Sequence, residues 1–174
     1  MSRGDSVLNV DVVKYKKWVL QVDREATLKA YAATPAGGAD TCECLYCKNF
    51  VAAREDASPM EFRALLEKLG IDYRKDAEVY ELSPDGSRVR SYSGWFHFVG
   101  SIVSVDGHEV QRPTKPPQIG VDLWVPREQI NDTFGITFCL KSDLSHAAFE
   151  GHDLVQVEFD TEVPWVLDEP APDW

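Results

Sequence analysis

The sequence predicts an α+β fold: a mostly antiparallel β-sheet or sandwich of about eight strands with one helical pair packed on it. Three observations lead there. Short runs of β-branched and aromatic residues recur along the chain, bounded by Gly, Pro and Asp. Helical periodicity is confined to residues 47–69. The breaks between the predicted strands are mostly short, and short turns join antiparallel neighbours.

The elements follow in order. Lys16–Val22 reads as a strand, and so does a segment near Thr27–Ala32. The stretch ATPAGG at 33–38 is a loop that leads into the cysteines. Residues 47–56 (CKNFVAARED) form the first helix, with Phe50 and Val51 inward. Ser58-Pro59-Met60-Glu61 is a capping box, with Pro at the first helical position and Glu three residues after the cap. Phe62, Leu65, Leu66 and Leu69 then recur at i, i+3, i+4 and i+7, the stripe of a helix lying on a core. Gly70 supplies a left-handed stop. The second helix is therefore 59–69, paired with the first through a short connection at 57–58.

The remainder reads as strands. Glu78–Leu82 and Arg88–Tyr92 flank Pro84-Asp85-Gly86, whose Asp and Gly tolerate positive φ. Trp95–Val99 follows. Ile102–Val105 and His108–Arg112 flank Asp106-Gly107, a favoured two-residue hairpin loop. Ile119–Val125, Thr133–Lys141, Leu154–Phe159 and Val163–Leu167 complete the set. Trp124 lies opposite Val121, Leu123 and Val125 on its strand, so it belongs to a second core layer or to a contact surface.

A chain of 174 residues, 44% hydrophobic, is expected to form one domain over 1–174, with a flexible tail from about 168. No apolar run approaches the roughly 18 residues of a membrane helix. The first residues, MSRGDSVLNVDVVKYKKW, lack the apolar stretch of a signal peptide. The expectation is a soluble cytoplasmic protein with reduced thiols.

The net charge is −11, and it is uneven. Residues 77–174 carry 6 basic and 17 acidic groups. After Lys141 there is no Lys or Arg. Such a field repels nucleic acid and anionic lipid, and it attracts a basic protein partner. Glu158, Asp160 and Glu162 would share one face of a continuous strand and form an acidic ridge.

Three of the four cysteines fall within Cys42-Glu43-Cys44-Leu45-Tyr46-Cys47. CxxC is the half-site of many zinc knuckles, because its tight turn aims two sulfurs at one ion. CxC adds a third thiolate. A closed tetrahedral site needs a fourth ligand. Cys139 is the expected one, because Phe134, Ile136, Phe138 and Leu140 hold the core face of its strand and leave Cys139 on the other. His97 is the alternative fourth ligand, and His108, His146 and His152 complete the candidates. The competing readings are three reduced thiols at a helix start, or a redox pair in Cys44-Leu45-Tyr46-Cys47. Against the redox pair, the neighbouring Asp40 and Glu43 are expected to raise the thiol pKa.

No phosphate-binding glycine loop, no GxSxG and no HExxH is present. Ser142, Asp143 and His146 read as a polar loop, since triads assemble from distant segments. Three function classes remain. The favoured one is a non-enzymatic acidic protein with a structural zinc knuckle that binds another protein. The others are a thiol- or metal-dependent enzyme using Cys42–Cys47, and an acidic inhibitor or immunity-type protein.

Overall fold

A computed structural model describes residues 10–83, 88–112, 126–140 and 144–172. It is α+β, with eight antiparallel strands among the described residues. β1 (Asp11–Tyr15) and β2 (Trp18–Val22) form a hairpin about Lys16-Lys17. The single strand expected over Lys16–Val22 is therefore two. The turn carries neither Gly nor Asn, and Lys16 itself takes the left-handed conformation at φ 48°.

The segment near Thr27–Ala32 is not a strand. It belongs to helix α1 (Arg24–Ala33), whose N-cap Asp23 accepts the Ala26 N–H at 2.9 Å. That cap, and the alanines behind it, outweigh the local β pattern. A single turn, α2 (Gly38–Thr41), starts at the last residue of the expected loop and runs on to the cysteines. The expected helical pair is present as α3 (Leu45–Ala57) and α4 (Met60–Leu69).

The stripe Phe62, Leu65, Leu66 and Leu69 is buried, and Gly70 closes α4 at φ 79°. The capping box does not form. Pro59 stands at the N-cap with no side-chain bond, and Ser58 instead ends α3 through its N–H to the Arg54 carbonyl. Glu61 turns away to Tyr15 and Lys16. Ser58→Ala is therefore expected to change stability by no more than about 0.5 kcal/mol in denaturant melts, instead of the roughly 1 kcal/mol of a lost cap.

β3 (Glu78–Glu81) pairs with β4 (Val89–Val105), a 17-residue strand that joins three predicted ones. Its glycines read as breaks but serve close approach. A Cβ on Gly100 would lie 2.0 Å from the Gln21 carbonyl oxygen, and one on Gly94 would lie 2.5 Å from that of Glu78. β5 (His108–Glu109) returns through Asp106-Gly107, both at positive φ, as the hairpin signal predicts. β6 (Glu128–Asn131), β7 (Phe134–Cys139) and β8 (Leu154–Pro164) follow. β6 was not legible in the sequence. β8 joins the predicted strand Leu154–Phe159 to the first two residues of the predicted Val163–Leu167, and residues 165–167 are not strand. The turn at 84–87 and the expected strand Ile119–Val125, with Trp124, lie outside the described residues.

The strand order is β1-β2-β4-β8-β7-β6, with β3 and β5 also on β4. The sheet curls until its ends meet: Lys16 and Lys17 from the first hairpin both reach Glu128 on β6. Phe62 of α4 fills the hollow, 4.7 Å from the Phe134 ring and 6.0 Å from that of Phe159. Between β2 and β3 the edge of β4 would be left unpaired. Helix α1 covers it: Thr27 Oγ1 accepts the Val99 N–H, and Tyr31 Oη bonds both the N–H and the carbonyl of His97. Residues 165–172 run back to α3, where Tyr46 Oη donates to the Pro172 carbonyl and Trp165 packs on Tyr46. No helix among the described residues is long and apolar enough to cross a membrane.

Candidate metal centre

Two helix ends meet at the cysteines. Cys42 ends α2, Cys44 is the N-cap of α3, and Cys47 lies in the first turn of α3. Contacts remote in sequence hold this junction. Asp76 accepts the Ala39 N–H on Oδ2 at 2.9 Å, and its carbonyl accepts the Gly38 N–H at 2.8 Å. Gly37 and Gly38 permit that approach, since a Cβ on Gly38 would lie 2.7 Å from the Ala77 carbonyl oxygen. Arg54 of α3 donates to both carboxylate oxygens of Asp40 in α2, at 2.6 and 3.2 Å, and to the Arg74 carbonyl. The two helices are thus fixed without help from the sulfurs.

Sequence reading missed Asp76 and the Asp40–Arg54 pair. The pair had no local signal, being 14 residues apart. Asp76 is buried, and burial raises its pKa above the ordinary aspartate value. A carboxyl whose folded pKa is raised holds its proton longer when folded. Folding stability then falls as pH rises from the unfolded value through the folded one. Asp76→Asn removes that titration and keeps the acceptor for Ala39. The variant should therefore gain on the wild type as pH rises from about 3 to neutral, measured by urea unfolding at several pH values.

Cys42, Cys44 and Cys47 converge as expected, their sulfurs all within 4.8 Å of one another. Some point then lies within about 2.8 Å of all three (4.8 divided by √3), close to the roughly 2.3 Å of a Zn–S bond. The Cys42 thiol donates to Cys44 Sγ at 3.3 Å, and the Cys47 N–H donates to the same sulfur at 3.4 Å. Cys47 is buried, Cys42 half-buried and Cys44 exposed.

The three thiols are not equivalent. Burial pushes Cys47 up, and its neighbouring sulfurs push it further. Cys44 moves down. Burial opposes this, but the N–H groups of Cys47 and Tyr46 and the thiols of Cys42 and Cys47 all favour its thiolate, and together they prevail. The expectation that nearby acids raise this thiol is thus corrected. Asp40 is occupied by Arg54, and the helix N-terminus dominates.

The structure does not bring the expected fourth ligand to the cluster. Cys139 does lie on the strand face opposite Phe134, Ile136 and Phe138, but that face is itself covered, and Cys139 is only 5% exposed. Its thiol donates to Glu158 Oε1 at 3.3 Å. His97 stands in the same row across the sheet, with Gln156 between them in register. It is fully buried, and its Nε2 lies 3.1 Å from Gln156 Oε1. Gln156 in turn donates to Glu158. Cys139 and His97 thus end one polar row inside the sheet, while Cys47 sits on α3, whose Phe50 packs against Phe159 on the other face. His146 faces the Lys75 carbonyl, and His108 and His152 are exposed. None of them joins the cysteines.

The acidic ridge is only partly free. Glu158, Asp160 and Glu162 do share a face of β8. Glu158, however, accepts from Cys139 and Gln156, and Asp160 is ion-paired with Arg127. Glu162 alone of the three is well exposed. No family model, no curated protein and no solved structure matches the chain.

Proposed function

We propose that this is a metal-binding protein in which Cys42, Cys44 and Cys47 hold one zinc ion at the junction of α2 and α3, and which acts by binding another protein. The observation that carries the reading is the convergence of three sulfurs on one point. Thiolate donors select zinc among the common divalent ions. The junction around them is tied by Asp76 and Arg54, so a metal would find its donors largely arranged. The net charge of −11 favours a cationic partner, whose association would slow as salt rises. The ridge on β8 supports this only at Glu162, because its other two acids have partners in the chain.

The test is a zinc titration of the chelator-stripped chain against a chromophoric competitor. One zinc per chain is the expected end point, and failure to take up zinc rejects the reading.

One observation favours a second reading, in which the cluster acts through a thiolate. Cys44 caps α3, is exposed and has a lowered pKa. Alkylation of the metal-free chain at neutral pH separates the two readings. A thiol site reacts at Cys44 whether or not zinc is added, whereas zinc held by the three sulfurs protects it.

A further inference from the structure

A tetrahedral ion has four positions, and the chain brings three sulfurs to this one. Among the described residues, no further Cys, His, Asp or Glu joins them. The other candidates have employment elsewhere. Asp40 takes both nitrogens of Arg54, Cys139 donates to Glu158, and His97 bonds Gln156 inside the sheet. The donors are graded from buried Cys47 through Cys42 to exposed Cys44, so one side of the cluster faces solvent. A site closed by protein would surround its ion. This one is covered from below and open above.

Taking the zinc reading above as its premise, we propose that the ion held by Cys42, Cys44 and Cys47 carries an exchangeable fourth ligand from outside the chain. Water occupies the position at rest, and a small thiol displaces it as thiolate. The exchange forms one Zn–S bond and breaks one Zn–O bond. The thiol proton passes to solvent, and nothing is oxidised or reduced. The site is then an open coordination site of the kind that binds or activates a ligand, and not a closed structural knuckle.

X-ray absorption at the zinc edge tests this on the full chain, purified in thiol-free buffer and loaded with one equivalent of zinc. The expected shell is three sulfurs at about 2.3 Å and one oxygen or nitrogen at about 2.0 Å. Saturating 2-mercaptoethanol should convert it to four sulfurs. Four sulfurs before thiol is added would overturn the proposal, because the chain would then close its own site. A light donor that stays in place at saturating thiol would overturn it equally, because that donor would belong to the protein. A chain that binds no zinc removes the metal reading itself, an outcome distinct from both.

Discussion

Phe62→Ala is expected to remove about 3–5 kcal/mol of folding stability. Phe62 is 2% exposed and stands where the hollow of the curled sheet meets α4. Its ring lies 4.7 Å from Phe134, 6.0 Å from Phe159 and 6.2 Å from Phe96, centroid to centroid. Those partners come from β7, β8 and β4, so one side chain ties a helix to three strands. Phe159 stacks on Phe134 and also meets Phe50 of α3. Such a lattice cannot collapse around an alanine-sized gap without moving β7 and β8, which are paired on both sides, so the cavity term should be nearly full. Urea unfolding of the variant measures it. A loss below about 1 kcal/mol would mean that α4 does not fill the hollow.

Cys47→Ser should cost the largest change in metal affinity. Removing a residue that merely orients a ligand already weakens metal binding about 10–100-fold. Removing one of three sulfurs should therefore weaken zinc more than about 100-fold, to the point where an ordinary competitor strips it. Cys47 is the informative choice because it is the buried donor, and its thiol keeps its proton until a metal takes the sulfur. Serine is nearly isosteric, so α3 should keep its first turn. Cys139→Ser is the paired control. Its hydroxyl can still donate to Glu158, and its zinc affinity should match the wild type. Competitive titration of both variants reads the difference directly. Equal losses in the two would restore Cys139 as a ligand.

How much of this was legible in the sequence depended on distance along the chain. The stripe of α4 was legible because Phe62, Leu65, Leu66 and Leu69 sit within one helix and repeat at its period. The Asp106-Gly107 hairpin was legible because its φ requirement is local. Helix α1 was hidden. Its buried side chains are only Thr27, Ala30 and Tyr31, and it sits against the edge of β4 by hydrogen bonds more than by an apolar stripe. The long strand β4 was cut short because a glycine needed for a close approach looks like a glycine needed for a turn, and β8 was cut at Asp160-Thr161-Glu162, a polar run that interrupts the apolar alternation.

The three clustered cysteines were legible for the same local reason. The fourth ligand was not. Strand phase correctly placed Cys139 on the face opposite Phe134 and Phe138, but phase does not say what covers that face. There it meets Glu158, Gln156 and, one strand further on, His97. Asp76 and Arg54, which hold the junction of α2 and α3, act over sequence separations that no motif spans.

The most direct test of the central claim is the metal content of the native chain. Protein purified without chelator is assayed for zinc by mass spectrometry, and its reactive thiols are counted before and after a strong chelator. The account predicts one zinc per chain, with Cys42, Cys44 and Cys47 unreactive until the chelator releases the metal. A metal-free chain whose Cys42 and Cys44 react at once would contradict it.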